Sequence, residues 1–239
     1  MDLEWARLHL RRVRAIKDLD RKIAKEGLEI GAIKLDPERP FQWASGYRMP
    51  IYNDNRMFLF RPAIRKTIAI GLADIIEGEG ISPEVVAGTA TAGIPHGALL
   101  ADLLGLPFIY IRDKPKGHGL RNRIEGIDAE SDLGRRRVVV IEDLISTGGS
   151  SARAVEAVRE ANGACGWCLS IFSYGLEKAA EEFASLEPPC EFTSLLTFPV
   201  LLETARTGGF LSDEQIALLT AWREDPFGWG EKHGFPKAG

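Results

Sequence analysis

The sequence lacks three features that would place it in a specialised class of protein. Three cysteines among 239 residues are too few for a disulfide scaffold, and 45% hydrophobic with 27% charged residues exclude a disordered or fibrous chain. Uncharged stretches such as residues 161–176 are shorter than the roughly 20 apolar residues that span a bilayer. Basic residues are not in excess, because the formal net charge is −4. These absences argue against a membrane protein and against a broad nucleic-acid surface.

The sequence also shows no signal peptide, because charged residues interrupt its first part before any apolar block could form. We therefore expect a cytoplasmic protein with reduced cysteines. Cys165 and Cys168 have the spacing of a redox motif, but they lie in an apolar segment that predicts a buried strand, residues 164–174. Residues three apart on a regular strand face opposite sides, so we expect two core cysteines whose sulfurs point apart.

Hydrophobic patterning divides the chain into three parts that form one structural domain. Residues 1–60 predict a helix followed by a region of short strands and turns, and residues 201–239 predict helices that pack on the outside of the core. Between them, residues 61–200 alternate strands with helices. This alternation predicts an α/β fold, a parallel sheet with helices on both faces. The strands are expected at residues 85–87, 107–111, 137–141, 164–174 and 192–198.

The most informative segment follows the valine-rich strand at residues 137–141. Two acids, Glu142 and Asp143, precede a turn of small residues that opens the next helix. The backbone N–H groups of such a turn can bind one phosphate at the carboxyl edge of the sheet. The acids would repel that phosphate, but they can accept hydrogen bonds from the hydroxyls of an attached ribose. The pattern therefore indicates a sugar-phosphate site, with a simple helix cap as the alternative.

Residues 142–150 resemble the phosphoribosyl pyrophosphate motif of type I phosphoribosyltransferases. Three further blocks narrow the resemblance to the orotate phosphoribosyltransferase family, and their order and spacing also match. These blocks are residues 43–56 (WASGYRMPIYNDNR), residues 88–94 (GTATAGI) and residues 112–119 (RDKPKGHG), the last followed by Ile124-Glu125-Gly126.

The resemblance implies a parallel-sheet core with a small hood over the base, built mainly from the N-terminal region and residues 41–56. It also implies a reaction in which orotate attacks phosphoribosyl pyrophosphate. Lys116 and Asp143 are the expected catalytic residues, and Ser146 and Tyr52 are the candidates for contact with orotate. Mg²⁺ is the expected cofactor, held mainly through the substrate and without a direct protein ligand. The residues expected to bind phosphoribosyl pyrophosphate are Arg112, Lys116, His118, Glu142, Asp143, Leu144, Ile145, Ser146, Thr147, Gly148, Gly149 and Ser150.

The segment from Arg112 to Arg123 is basic and carries glycines on both sides of His118. Such a loop can close over an anion, although runs of charge are also common on solvated surfaces. The family resemblance implies that it binds pyrophosphate and reaches into the site of a partner subunit, hence a homodimer.

The chain departs from the family pattern at three positions. Asp113 stands where many relatives have a second basic residue, and Ala44 and Ala92 stand where many have lysine. Two alternatives therefore stay open: a phosphoribosyltransferase for another base, and a non-catalytic protein that binds phosphoribosyl pyrophosphate. Outside these motifs, His96 sits among apolar residues and is expected to be structural.

Overall fold

The computed structural model describes residues 19–43, 45–113, 123–128 and 132–238. The predicted N-terminal helix covers about the first 28 residues, and its part before residue 19 lies outside the described residues. The described N-terminal part begins with a helix, and two antiparallel strand pairs follow, β1 with β4 and β2 with β3. Short strands and turns between residues 41 and 60 are therefore confirmed. The elements are α1 (Leu19–Glu29), β1 (Ile33–Leu35), β2 (Phe41–Gln42), β3 (Arg48–Met49), β4 (Ile51–Asn53) and a 3₁₀ helix (Asn55–Phe60).

A six-stranded sheet in the order β10-β9-β8-β5-β6-β7 forms the centre of the fold. Its strands are parallel except β7, which pairs antiparallel with β6. The predicted alternation of strands and helices is thus confirmed. The elements are α2 (Pro62–Gly78), β5 (Val85–Thr89), α3 (Gly93–Leu104), β6 (Phe108–Ile111), β7 (Ile124–Glu125), β8 (Arg137–Ile145), α4 (Gly149–Glu160), β9 (Ala164–Ser173), α5 (Glu177–Ala184) and β10 (Glu191–Thr197).

Apolar side chains cover both faces of this sheet. Along β8, Val139 and Ile141 belong to the cluster shared with α2 and α3, whereas Val138 and Val140 belong to the cluster shared with α4 and α5. This division follows from the period of two along a strand, and it explains why the strand reads as a continuous apolar run. Within the described part of the chain, no helix combines the length and the apolar character needed to cross a membrane.

The prediction that Cys165 and Cys168 point to opposite sides is wrong. The register between β8 and β9 shifts, because Val138 pairs with Cys165 but Val139 pairs with Trp167. One extra residue, Gly166, therefore restores the parity of the strand, as a β-bulge does. Both cysteines lie in the same core cluster, together with Cys190, and all three thiols are buried and free.

The C-terminal helices contribute to the core more deeply than expected. They are α6 (Phe198–Thr207), α7 (Asp213–Glu224) and α8 (Trp229–Lys232). Trp222 and Trp229 are fully buried members of the larger core cluster. The ring of Tyr174 lies 5.4 Å from that of Trp222 and stacks on Trp43 at 5.6 Å. One aromatic cluster thus joins the N-terminal strands, the sheet and the C-terminus.

Candidate active site

A cavity of about 600 Å³ opens at the carboxyl ends of β5, β6 and β8. Ligands of open parallel sheets bind at this edge, so the cavity lies where the sequence predicts a sugar-phosphate site. Four arginines and four acids make its wall strongly polar. The lining consists of Asn53, Asp54, Arg56, Thr89, Ala90, Thr91, Ala92, Ile111, Arg112, Asp113, Arg123, Glu142, Asp143, Leu144, Ser150, Arg153 and Ala154.

The acid pair lies on β8 itself rather than after it, because the strand continues to Ile145. The parallel pairing with β9 extends through Glu142, opposite Ser170, and through Leu144, opposite Phe172. Alternation along the strand then gives the two acids different surroundings. Glu142 is 8% exposed, and Asp143 is more accessible to the cavity.

The carboxylate of Glu142 is held by three donors. Its Oε1 accepts hydrogen bonds from the Thr89 hydroxyl at 2.7 Å and from the Asp143 N–H at 3.0 Å. Its Oε2 accepts from the Ser151 hydroxyl at 3.2 Å. Burial, and next the charge of Asp143, raise the pKa of Glu142, while the Thr89 hydroxyl opposes that shift. Burial likewise raises the pKa of Asp143, against hydrogen bonds that lower it.

The turn between β8 and α4 contains the small residues of the predicted phosphate site. Gly148 has a φ of +84°, and a Cβ at this position would meet the Ala179 backbone at 3.0 Å. Both facts require glycine there. Helix α4 begins at Gly149, and no side chain caps its first turn. Its first backbone N–H groups, which helix geometry leaves without intrahelical partners, are suited to an anion.

The 3₁₀ helix of the N-terminal part is tied directly to the acid pair. The buried Asn55 donates from Nδ2 to the backbone carbonyl of Asp143 at 2.7 Å. On either side of it, Arg56 contacts Asp54 through two hydrogen bonds of 2.6 and 2.9 Å, and both side chains line the cavity. This segment therefore forms a hood over the carboxyl edge of the sheet. The name hood refers below to the described residues 33–43 and 45–60.

The described ends of the basic loop meet at the rim of the cavity. Arg112 and Arg123 pair through the backbone, where the Arg112 N–H donates to the Arg123 carbonyl at 2.8 Å. Arg112 also forms an ion pair of 3.2 Å with Glu125 on β7. Both arginines line the cavity. Lys116 and His118, predicted to bind pyrophosphate, lie outside the described residues.

Some of the predicted site residues line this cavity, and others lie beside it. Arg112, Glu142, Asp143, Leu144 and Ser150 line it. Ser146, Thr147, Gly148 and Gly149 follow on the same segment but are not among the residues that line the cavity, and the side chain of Ile145 points into the core. Tyr52 is 39% exposed on β4, next to the lining residue Asn53, and its ring lies 5.9 Å from that of Phe41.

Sequence reasoning missed several lining residues. Asp54 and Arg56 belong to the block at residues 43–56, and Thr89 belongs to the block at residues 88–94, so the motifs contained them without assigning them a role. Arg153 could have been found from helical spacing, because it follows Ser150 by three residues on α4.

The chain is similar in sequence to known phosphoribosyltransferases. A family model described as "Phosphoribosyl transferase domain" matches residues 58–186, so the chain belongs to the phosphoribosyltransferases. An orotate phosphoribosyltransferase of Lactiplantibacillus plantarum is 47% identical over 208 residues, which are 87% of this chain and 95% of that protein. One from Staphylococcus saprophyticus is 47% identical over 203 residues, 85% of this chain and 97% of that protein.

A solved structure agrees with these relatives. The orotate phosphoribosyltransferase of Aeropyrum pernix superposes with a TM-score of 0.65 at 29% identity, covering 80% of this chain and 99% of that one. The chain therefore belongs to the orotate phosphoribosyltransferase family, whose members are pentosyltransferases of pyrimidine biosynthesis. Its fold is that of the type I phosphoribosyltransferases.

Proposed function

We propose that this protein transfers ribose 5-phosphate from phosphoribosyl pyrophosphate to orotate, giving orotidine 5′-phosphate and pyrophosphate. The observation that carries the proposal is the arrangement around β8. An acid pair, the two ends of a small-residue turn at a helix start (Leu144 and Ser150) and a hood all meet at one polar cavity. Membership of the family supports orotate as the base.

The phosphate turn binds the 5′-phosphate through its backbone N–H groups. The turn runs from Leu144 through Ile145, Ser146, Thr147, Gly148 and Gly149 to Ser150, and the hydroxyls of Thr147 and Ser150 add donors. Binding at a helix start orients the sugar with its hydroxyls toward the acid pair. Positioning of this kind supplies much of the rate enhancement when two substrates must meet.

Asp143 and Glu142 bind the ribose hydroxyls and face the carbon at which positive charge develops. As the bond from this carbon to the pyrophosphate oxygen breaks and the bond to the orotate nitrogen forms, the sugar passes through an oxocarbenium-like state. A nearby carboxylate stabilises that charge more than it stabilises the neutral sugar, so it lowers the barrier. Orotate enters as an anion, and a strong general base is therefore unnecessary.

The departing pyrophosphate is bound by the basic loop. Arg112 holds one end of this loop at the cavity, and Lys116 and His118 supply further donors when the loop closes. We propose that the protein is a homodimer in which the loop of one subunit completes the site of the other. Tyr52 and Ser146 are proposed to contact orotate.

Mg²⁺ is the proposed cofactor. Mg²⁺ is a hard ion that keeps several waters, so the pyrophosphate and ribose oxygens of the substrate would hold it. When bound, it neutralises charge on the pyrophosphate leaving group. We assign it no direct protein ligand.

The decisive experiment measures product formation from phosphoribosyl pyrophosphate and Mg²⁺ with orotate, uracil, hypoxanthine or adenine. Of these four bases, only orotate should give a nucleotide and pyrophosphate, in equal amounts. Turnover with another base and not with orotate would identify a different phosphoribosyltransferase. Binding of phosphoribosyl pyrophosphate without turnover of any base would indicate the non-catalytic alternative.

A further inference from the structure

The hydroxyl of Thr89 connects two parts of the cavity that approach it from different strands. Thr89 is the last residue of β5 and Glu142 lies near the end of the neighbouring strand β8. Thr89 is 5% exposed, and its Oγ1 lies 2.7 Å from Glu142 Oε1 and 3.2 Å from the Ile141 carbonyl oxygen. The hydroxyl therefore has two acceptors in reach but only one proton to donate.

We propose that Thr89 is a positioning residue, which holds the Glu142 carboxylate in the orientation that binds the ribose of phosphoribosyl pyrophosphate. Ser151 holds the second carboxylate oxygen from α4, at 3.2 Å. The carboxylate is thus fixed between β5 and α4 before the substrate arrives. The proposal rests on the proposed function, since it assigns the ribose to Glu142 and its neighbour.

The need for such a donor follows from the surroundings of Glu142. A carboxylate that is 8% exposed and adjacent to a second acid is costly to keep charged, and burial raises its pKa. Hydrogen bonds from neutral donors to the charged form offset this cost. Thr89 opposes the shift of the Glu142 pKa, so losing its hydroxyl favours the protonated carboxyl group, a weaker acceptor for ribose hydroxyls.

The two acceptors of Thr89 also explain why threonine suits this position. While Glu142 is charged, the hydroxyl donates to its Oε1, which is the shorter and charge-assisted contact. If Glu142 is protonated, the same hydroxyl can accept from it and donate to the Ile141 carbonyl. A valine has nearly the same shape and can do neither, whereas a serine can do both.

The proposal is tested by calorimetry, which measures the Kd of phosphoribosyl pyrophosphate for the full-length wild type and for Thr89→Val, without any base. Loss of a hydrogen bond to a charged group predicts a Kd raised between about 10- and 100-fold. Thr89→Ser should restore binding to within about threefold of the wild type, since it retains the donor. Because no base is present, the result is independent of whether orotate is the correct acceptor.

A double-mutant cycle with Glu142→Gln separates positioning from packing. In the Glu142→Gln background, Thr89→Val should change the Kd by less than about threefold, because the charge that Thr89 holds is absent. Equal losses in both backgrounds would overturn the proposal and make Thr89 a packing residue. The proposal would also be overturned if Thr89→Val bound phosphoribosyl pyrophosphate with the wild-type Kd, or if Thr89→Ser failed to restore that Kd.

Discussion

The acid pair shows how one strand can give adjacent carboxylates different roles. Glu142 is held by hydroxyls from β5 and α4, while Asp143 contributes its backbone carbonyl to the hood residue Asn55. The Asp143 side chain lines the cavity, and burial raises its pKa, while hydrogen bonds and, to a smaller extent, the charge of Arg56 in the hood oppose that shift. Asp143 is therefore the carboxylate better placed to respond to charge that develops on the sugar.

Asp143→Asn should reduce turnover by a factor equivalent to about 2–4 kcal/mol, because asparagine keeps the size of the side chain and loses its charge. Single-turnover kinetics with saturating substrates would measure this loss. The thermal unfolding midpoint should stay close to that of the wild type, since the backbone contact to Asn55 does not depend on the side chain. Nearly normal turnover would leave Asp143 without a catalytic role.

Because of His96 on α3, we expect the free energy of unfolding to fall in acid. Burial, and next the charge of Arg65, lower its pKa from 6.5 to about 4, and within the described chain neither ring nitrogen has a hydrogen-bond partner. The unfolded chain binds a proton below pH 6.5, whereas the folded chain resists it until about pH 4. Stability that is fully present above pH 6.5 is therefore lost as the pH falls through this window.

Urea unfolding of the wild type and of His96→Gln at pH 7 and pH 5 measures this contribution. The wild type should lose about 2 kcal/mol more than the variant between the two pH values, because glutamine does not titrate. Comparing the two pH responses removes the contributions of Glu142 and other acids. Equal responses would mean that His96 takes up its proton in the folded state without difficulty.

At the scale of elements, the site depends on a close approach between β5 and α3. A Cβ on Gly88 would lie 2.8 Å from the Gly93 carbonyl oxygen and 2.9 Å from the Ile94 Cα. Both are backbone atoms, which have little freedom to move. This approach places Thr89 and the residues after it against the end of β8, where Glu142 lies.

Gly88→Ala should therefore reduce the free energy of unfolding by about 1–3 kcal/mol, the usual cost of overpacking. Gly78→Ala is the matched control, because a Cβ at the end of α2 meets no atom within 4 Å. That variant should be neutral or slightly more stable, since alanine is the better helix former. Denaturant unfolding of both variants checks the difference, and equal effects would contradict the tight β5–α3 contact.

The elements also show what sequence patterns can predict. The alternation of apolar runs with amphipathic segments was sufficient for the parallel sheet, because strand and helix periods differ. It did not predict that β8 continues to Ile145, since Glu142 and Asp143 interrupt the apolar run while the pairing with β9 persists. The bulge at Gly166 was equally invisible, because it depends on the register between two strands that are distant in sequence.

At the scale of the whole molecule, the site is assembled from distant parts of the chain. Asn55 reaches Asp143 across 88 positions, and Trp222 donates through its indole N–H to Met49 at 3.1 Å across 173. Contacts of this range have no local signature in a sequence. Family motifs could therefore indicate which blocks build the site, but not which hood side chains line it.

Complementation between two inactive variants tests the proposed shared site. Lys116→Ala should slow the chemical step far more than it weakens orotate binding, because Lys116 meets its full charge partner only when the loop closes on pyrophosphate. If the loop acts in the partner's site, a mixed dimer of Lys116→Ala and Asp143→Asn chains has one site with both residues intact and one with neither. Equal mixing with free subunit exchange should then restore about a quarter of wild-type activity, since half of the dimers are mixed and each has one intact site of two. Mass spectrometry should first confirm that subunits have exchanged. If activity is still unchanged, each loop serves its own subunit.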